Sequence, residues 1–471
     1  MLSLLILAAA IGFDEVQPPS YYAANGELQS YLAEAGENHP ALHARYHEWR
    51  AALERIPQAT SLDDPIFTYS QFVQSDSQLL KLRIAQKFPW FRTRKARGRK
   101  EAAAAAAALD RFHAERNRIF AAVKRAYFDY AFLAEQIRIT TSQAEILAYM
   151  EDLVRSKLAL GMAREDELLR LSIEKEKLED EKARFERKQP ALCARLNDAI
   201  GAPLLTERPW PAEIGTPAPP PDSEAIRALI PASNPDLSAL DHIASKWEEA
   251  RVLAKKSGFP DLSLAFEYGF VEQPRVNRPD RPYPSTLNAA NRMFSTLRGQ
   301  TAPSLANTAI DSYSIATAND PISYPGKRND NIMISLSVNV PIWRKRVGAA
   351  KREALLMEKA TERDKARMEL TLEAAAEMAL YNADDARSRH QLYGDRLIPQ
   401  ARQSYEGLQT RYATASPGVD FLDVLQSVRT LLDFDLEQAR AKRDWHLAMA
   451  DLELITGAAI ETGTVPSEAS P

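Results

Sequence analysis

The chain says the same thing twice. Residues 85–102 read AQKFPWFRTRKARGRKEA and residues 337–354 read SVNVPIWRKRVGAAKREA; each ends an alternating run with a proline and opens a long charged stretch. Pro89 aligns with Pro341, Phe91 with Trp343, Arg92 with Arg344 and Glu101 with Glu353, at a constant offset of 252 residues. Gly161, Asp166 and Leu168 recur as Gly418, Asp423 and Leu425, and Gly201 recurs as Gly457. Upstream, Pro40 and Leu42 match Pro235 and Leu237. A repeat of this length constrains the architecture before any single site does. It predicts two copies of one unit: helix, strand, loop, strand, very long helix, short turn, return helix. The offset changes because the second copy carries a 60-residue insert, 271–330, with seven prolines and no sustained period.

The boundaries follow. Residues 14–201 form the first repeat and 223–457 the second, with a proline-rich linker at 202–222 and a tail at 458–471. Residues 1–13, MLSLLILAAAIGF, suit the apolar core of a secretory signal but lack its basic start, and an apolar helical turn fits them as well. A net charge of −4 gives no reason to expect nucleic acid. The lone Cys193 excludes an intramolecular disulfide and a cysteine metal cluster. No run of about 18 apolar residues exists beyond the start, so a membrane would have to be crossed by strands.

Strands are available. In 261–271, Leu262, Leu264, Phe266, Tyr268 and Phe270 alternate with Ser263, Ala265, Glu267 and Gly269; in 331–340, Ile332, Ile334, Leu336, Val338 and Val340 alternate with polar neighbours. The first copy has weaker versions at 65–73 and 79–88, where Leu80, Leu82 and Ile84 oppose Lys81, Arg83 and Lys87. That dyad pattern fits a transmembrane barrel with a polar lumen, and equally a soluble half-buried sheet. Four strands cannot close a barrel, so the membrane reading requires oligomerisation; three copies supply twelve strands.

From Arg92 to about Leu160 there is no proline and one glycine, and seven consecutive alanines occupy 102–108. Such a helix reaches roughly 100 Å. Ile119, Val123, Ala126, Tyr130, Leu133 and Ile137 keep the spacing of a coiled-coil seam. The matching stretch runs from about 345 to 412, and return helices at about 165–200 and 421–456 fold back antiparallel because the turns are short.

In order and spacing, the helix start NPDL, the post-strand segments VPIWR and FPWFR, the turns G-x-x-x-x-D-x-L and the terminal L-x-x-x-x-G resemble the TolC-like outer-membrane efflux channel family from about residue 38 to 457. The post-strand segment is most similar to its heavy-metal branch. The resemblance implies a mainly α fold with a small β part: a homotrimer whose twelve-stranded β-barrel in the outer membrane of a Gram-negative-type bacterium continues into a periplasmic twelve-helix α-barrel. It implies a passive exit duct of a tripartite efflux or type I secretion system, docking on a periplasmic adaptor and an inner-membrane transporter, with no cofactor and no catalysis. Leu160, Gly161, Met162, Ser416, Pro417 and Gly418 are the matching positions for the adaptor-docking tips. The pore-facing acid of the second turn falls on Asp423, and Asp166 holds the parallel place. Lys81, Arg83, Lys87 and Glu267 would line the barrel lumen.

Two further readings come from the residues themselves. The basic runs Arg92–Lys100 and Arg344–Arg352 lie just beyond the strands, where inner-leaflet lipid phosphates or plain solvent account for them. His39, His43 and His47, spaced by four, are candidate metal ligands on one helix face or unremarkable surface residues. A coiled-coil scaffold outside any membrane, or the periplasmic adaptor itself, stands as the alternative function; no nucleophile-base set, phosphate loop or H-E-x-x-H motif is present.

Overall fold

A computed structural model describes residues 26–73, 78–211, 214–271, 330–414 and 419–460. The candidate signal segment 1–13, nearly all of the insert, and the candidate tip residues Ser416, Pro417 and Gly418 lie outside the described residues.

The duplication is structural. The first copy consists of α1 (Gly26–Asn38), α2 (Pro40–Thr60), β1 (Ile66–Gln71), β2 (Gln78–Phe88), α3 (Thr93–Ala159) and α4 (Glu165–Ile200). The second repeats the order with α5 (Ser223–Ser233), α6 (Pro235–Lys256), β3 (Asp261–Val271), β4 (Asn331–Asn339), α7 (Arg344–Leu392), α8 (Ile398–Ala413) and α9 (Phe421–Thr456). Between α7 and α8 the chain does not break. Pro399 has no N–H to return to the carbonyl four residues back, and a π-turn at Tyr393–Leu397 absorbs the defect, with the Ile398 N–H bonding the Tyr393 carbonyl instead.

The chain divides into two compact units. One, comprising residues 1–52, 104–243 and 360–471, is a helical body with three apolar clusters. The first copy packs Leu28, Leu32 and Leu42 against Phe112, Val123, Tyr127, Tyr130, Leu196 and Ile200. The second packs Ile226, Ile230 and Leu237 against Ala379, Ala383, Ala386, Trp445, Met449 and Leu452. A third cluster joins them, with Leu147, Met150, Val154 and Leu171 meeting Tyr405, Tyr412, Phe421, Val424 and Val428. Of the seam residues, Ile119, Val123, Ala126, Tyr130 and Leu133 are buried.

Each copy ends by locking onto its own beginning. Gly201 and Gly457 close α4 and α9 in the left-handed conformation, at φ 83° and 76°. A Cβ at Gly201 would stand 2.9 Å from the His39 Cα, and one at Gly457 would stand 2.6 Å from the Ser233 carbonyl oxygen and 2.9 Å from the Asn234 Cα. In both copies the residue met is the cap before a proline. Asn234 Oδ1 accepts the N–H groups of Asp236 and Leu237, while its Nδ2 donates to the Ile455 carbonyl. The paired NHPAL and NPDL motifs are therefore the receiving half of a lock whose other half is the terminal glycine.

The other unit, residues 53–103 and 244–359, carries a four-stranded antiparallel sheet in the order β1-β2-β3-β4. Its middle pair, β2 with β3, joins strands from different copies. The strands β1 and β4 occupy the two edges.

Candidate functional site

Two features carry functional weight: the paired faces of the sheet, and the helix ends farthest along the chain from the strands.

The sheet register places most polar and apolar side chains on opposite faces. Lys81 lies opposite Gly269 and Ser70, Arg83 opposite Glu267 and Thr68, and Lys87 opposite Ser263, with Ser335, Ser337 and Asn339 completing that face on β4. The other face gathers Phe67, Leu82, Ile84, Leu264, Phe266, Tyr268, Ile332, Ile334, Leu336 and Val338. In a water-soluble sheet the apolar face would be the covered one. Here Phe67 is 64 % exposed, Ile334 68 % and Leu336 54 %, whereas Glu267 on the polar face is 7 % exposed. Lys81 Nζ lies 2.5 Å from Glu267 Oε1, and Lys87 Nζ lies 3.2 Å from Asp261 Oδ2. The four candidate lumen residues thus share one face. Ile66, Ala85, Ala265 and Met333 are the apolar members of it, so the polarity is strong without being uniform.

At the far ends of the helices, the first turn is a glycine-capped reversal. The Met162 N–H returns 2.8 Å to the Lys157 carbonyl, and Gly161 takes φ 72°. Leu160 and Met162 flank it at 70 % and 64 % exposure, an apolar pair held out in the open. Behind the turn sits a network that ties the two copies together. The Tyr412 hydroxyl donates to Glu167 Oε2 at 2.6 Å, and Lys157 donates to the Tyr412 carbonyl while its Nζ lies 4.0 Å from the ring centroid. Lys157 and Glu167 are both buried, and Phe421 packs on Tyr412 with ring centroids 5.9 Å apart. Burial first, and then the bond to Glu167, raise the phenol above its ordinary pKa, so it remains a donor throughout the physiological range. About two turns further along α4, Glu174 bridges to Lys177 and to Arg429 of α9. Burial opposes its ionisation, but those two cations prevail and hold its carboxyl below the usual range.

Replacing Tyr412 by phenylalanine is expected to leave Glu167 buried without its short donor, at a local cost of about 1–3 kcal/mol. Amide exchange in the last turn of α8 and the first turn of α4 should quicken by roughly 10- to 100-fold while the rest of the helices keep their protection. Unchanged exchange there would show that Tyr412 does not hold the ends together.

Asp166 and Asp423, aligned in sequence, are not equivalent in structure. Asp423 closes a reciprocal capping box on α9: its Oδ2 accepts the Asp420 N–H at 3.1 Å. Asp166 instead lies between Arg164 at 3.1 Å and Arg170 at 3.6 Å. The histidine trio does not converge. His39 stands ahead of α2 and accepts the Ala41 N–H on Nδ1, His43 Nε2 donates to the Glu37 carbonyl, and His47 packs against Tyr46. Among the described residues no group of three His, Cys, Asp or Glu side chains is placed to hold a metal ion, and no helix is long and apolar enough to cross a membrane.

Lys157, Glu167 and Tyr412 were not legible as a set. The Tyr412–Glu167 bond spans 245 residues, and neither residue recurs at the repeat offset.

No family model and no curated relative matches the sequence. Solved structures do match in fold. The outer-membrane protein VceC of Vibrio cholerae is 14 % identical, with a TM-score of 0.67 over 93 % of this chain and 98 % of that one. The outer-membrane channel OprN is 15 % identical, with a TM-score of 0.66 over 94 % and 92 %. The CmeC outer-membrane channel of Campylobacter jejuni is 13 % identical, with a TM-score of 0.63 over 93 % and 87 %. The chain therefore has the fold of TolC-like outer-membrane channels along nearly its whole length, mostly helical with a small antiparallel sheet.

Proposed function

We propose that this protein is the outer-membrane channel of an efflux or secretion assembly, a passive duct built from three copies. The observation that carries this reading is the inverted sheet: a largely exposed apolar face backed by a polar one whose centre at Glu267 is buried, on a sheet whose β1 and β4 have no further strand partner among the described residues. In lipid an open edge leaves backbone groups without partners, so β4 of one copy pairs with β1 of the next and twelve strands close. The fold shared with outer-membrane channels supports the same conclusion. The helical body then extends the conduit into the periplasm, where the exposed Leu160–Met162 turn and its counterpart at 416–418 meet an adaptor attached to an inner-membrane pump.

The lumen chemistry follows from the polar sheet face, where Glu267 and Asp261 pair with Lys81 and Lys87 and Arg83 leaves one excess positive charge per copy. At the helix ends, Arg164 and Arg170 offset the charge of Asp166, so the exposed Asp423 is the acid that a threefold ring would concentrate at the constriction. Energy comes from the pump, and this chain does no chemistry.

Cell fractionation followed by unheated gel electrophoresis tests the reading. A heat-labile trimer in the outer-membrane fraction is the expected result, and a soluble monomer or dimer would sink it. Ile334→Arg, on the apolar face, should weaken the assembled barrel by about 2–4 kcal/mol, with Ser335→Arg on the opposite face costing far less. Equal effects from both would mean that the apolar face does not meet lipid.

A further inference from the structure

Phe88 pairs with Leu262 and Asp261 with Asn339, so β2, β3 and β4 reach one common end of the sheet. Just beyond that end the chain exposes aromatic and aliphatic groups: Phe91 at 72 %, Trp343 at 72 %, Ile342 at 64 % and Phe259 at 42 %. Immediately after them come cations with no intervening acid, from Phe88 to Lys100 and again from Val340 to Arg352. Some of these are occupied: Arg99 pairs with Glu249, Lys100 with Glu101, and Arg94 donates to the Thr60 carbonyl. Arg92, Lys95, Arg344, Lys345 and Arg346 are exposed and have no carboxylate partner among the described residues.

Their position on the helices is also unfavourable. The first turns of α3 and α7 carry no acid, whereas those of α4 and α9 do. Cations gathered at the positive end of a helix dipole oppose it, and a bound anion reverses the sign of that contribution. Arg92 adds backbone strain at φ 64°, a left-handed conformation that a non-glycine residue seldom holds. The arrangement occurs once in each copy, in the same order: proline, aromatic, arginine, further cations.

We infer that these two junctions form a collar that binds the headgroups of anionic phospholipids. The inference rests on the sheet being embedded in a membrane. A phospholipid rather than a free ion is the occupant because the cations directly follow exposed aromatic and aliphatic groups at the end of the strands, so acyl chain and phosphate are met in the order a lipid presents them. A trimer would carry the motif six times around its circumference.

The test uses the full chain purified in non-ionic detergent, titrated with phosphatidylglycerol, with phosphatidylcholine of identical acyl chains, and with inorganic phosphate, bound lipid being read by native mass spectrometry. Phosphatidylglycerol should bind roughly 10-fold or more tightly than phosphatidylcholine, and the triple substitution Arg344→Gln, Lys345→Gln, Arg346→Gln should abolish most of that preference. The unheated gel shows in parallel that the variant assembles; the single substitution Arg92→Gln, expected to lose a smaller part of the preference, serves if the triple variant does not. Equal binding of the two lipids by an intact trimer, a preference unaffected by the substitutions, or displacement of the lipid by millimolar phosphate would overturn the collar. Absence of any trimer would instead overturn the channel reading on which it rests.

Discussion

Replacing Lys124 by methionine is expected to cost about 3–5 kcal/mol, because it removes the cation paired with the buried Glu453 carboxylate. Lys124 sits on α3 and Glu453 on α9; they form an ion pair across 329 residues, and their side chains are 5 % and 9 % exposed. Burial lowers the lysine pKa and the glutamate beside it works to restore it. Replacing both at once, Lys124→Met with Glu453→Leu, is expected to be nearly neutral, since the desolvation cost disappears together with the attraction. The two single variants and the double variant, compared by helix circular dichroism in urea, give the coupling directly. A single substitution costing less than about 1 kcal/mol would mean that water reaches the pair.

Gly457→Ala should be comparably damaging for a different reason. The residue holds φ 76°, where a Cβ carries a conformational cost of about 1–2 kcal/mol. Overpacking contributes another ~1–3 kcal/mol or more, because what the new carbon would strike is backbone, the Ser233 oxygen at 2.6 Å, rather than a side chain able to swing away. The same substitution at Gly201 meets the His39 Cα at 2.9 Å and should be somewhat milder. Thermal unfolding in detergent measures both. A loss below 1 kcal/mol at Gly457 would show that the lock at the end of the second copy can open without consequence.

What the sequence reveals about this chain is local. Alternation at 261–271 and 331–340 marks β3 and β4 because a strand repeats every two residues, and Gly161 marks the end of α3 because a helix cap needs only a few neighbours. The same logic fails where outcomes depend on distant partners. The second long stretch, about 345–412, reads as one helix, and it stays helical past Pro399 only by way of a π-turn at Tyr393–Leu397 that its local sequence does not announce. The spacing of His39, His43 and His47 suggests one helical face, yet His39 falls before the helix begins and spends its ring on capping it. Aligned aspartates at 166 and 423 suggest one role, and their immediate neighbours, two arginines in one case and the Asp420 backbone in the other, make them different. The buried tip network could not be read at all, since nothing near Tyr412 in sequence announces Glu167.

The two locks have a genealogical meaning. Gly201 closes on His39–Pro40 and Gly457 on Asn234–Pro235, so each copy is sealed to itself, and the proline-rich stretch between them packs back onto both, with Arg208 pairing with Glu34, Trp210 stacking on Tyr130 and the Gly215 carbonyl accepting from His446. The joins between copies include the β2–β3 ladder, the buried Lys124–Glu453 pair and the Tyr412–Glu167 bond. In an ancestor half this long, those joins would have been contacts between separate molecules. The middle of the present sheet then corresponds to a subunit boundary brought inside one polypeptide, and its two sides are free to differ: the second copy carries the long insert and the π-turn at Tyr393–Leu397.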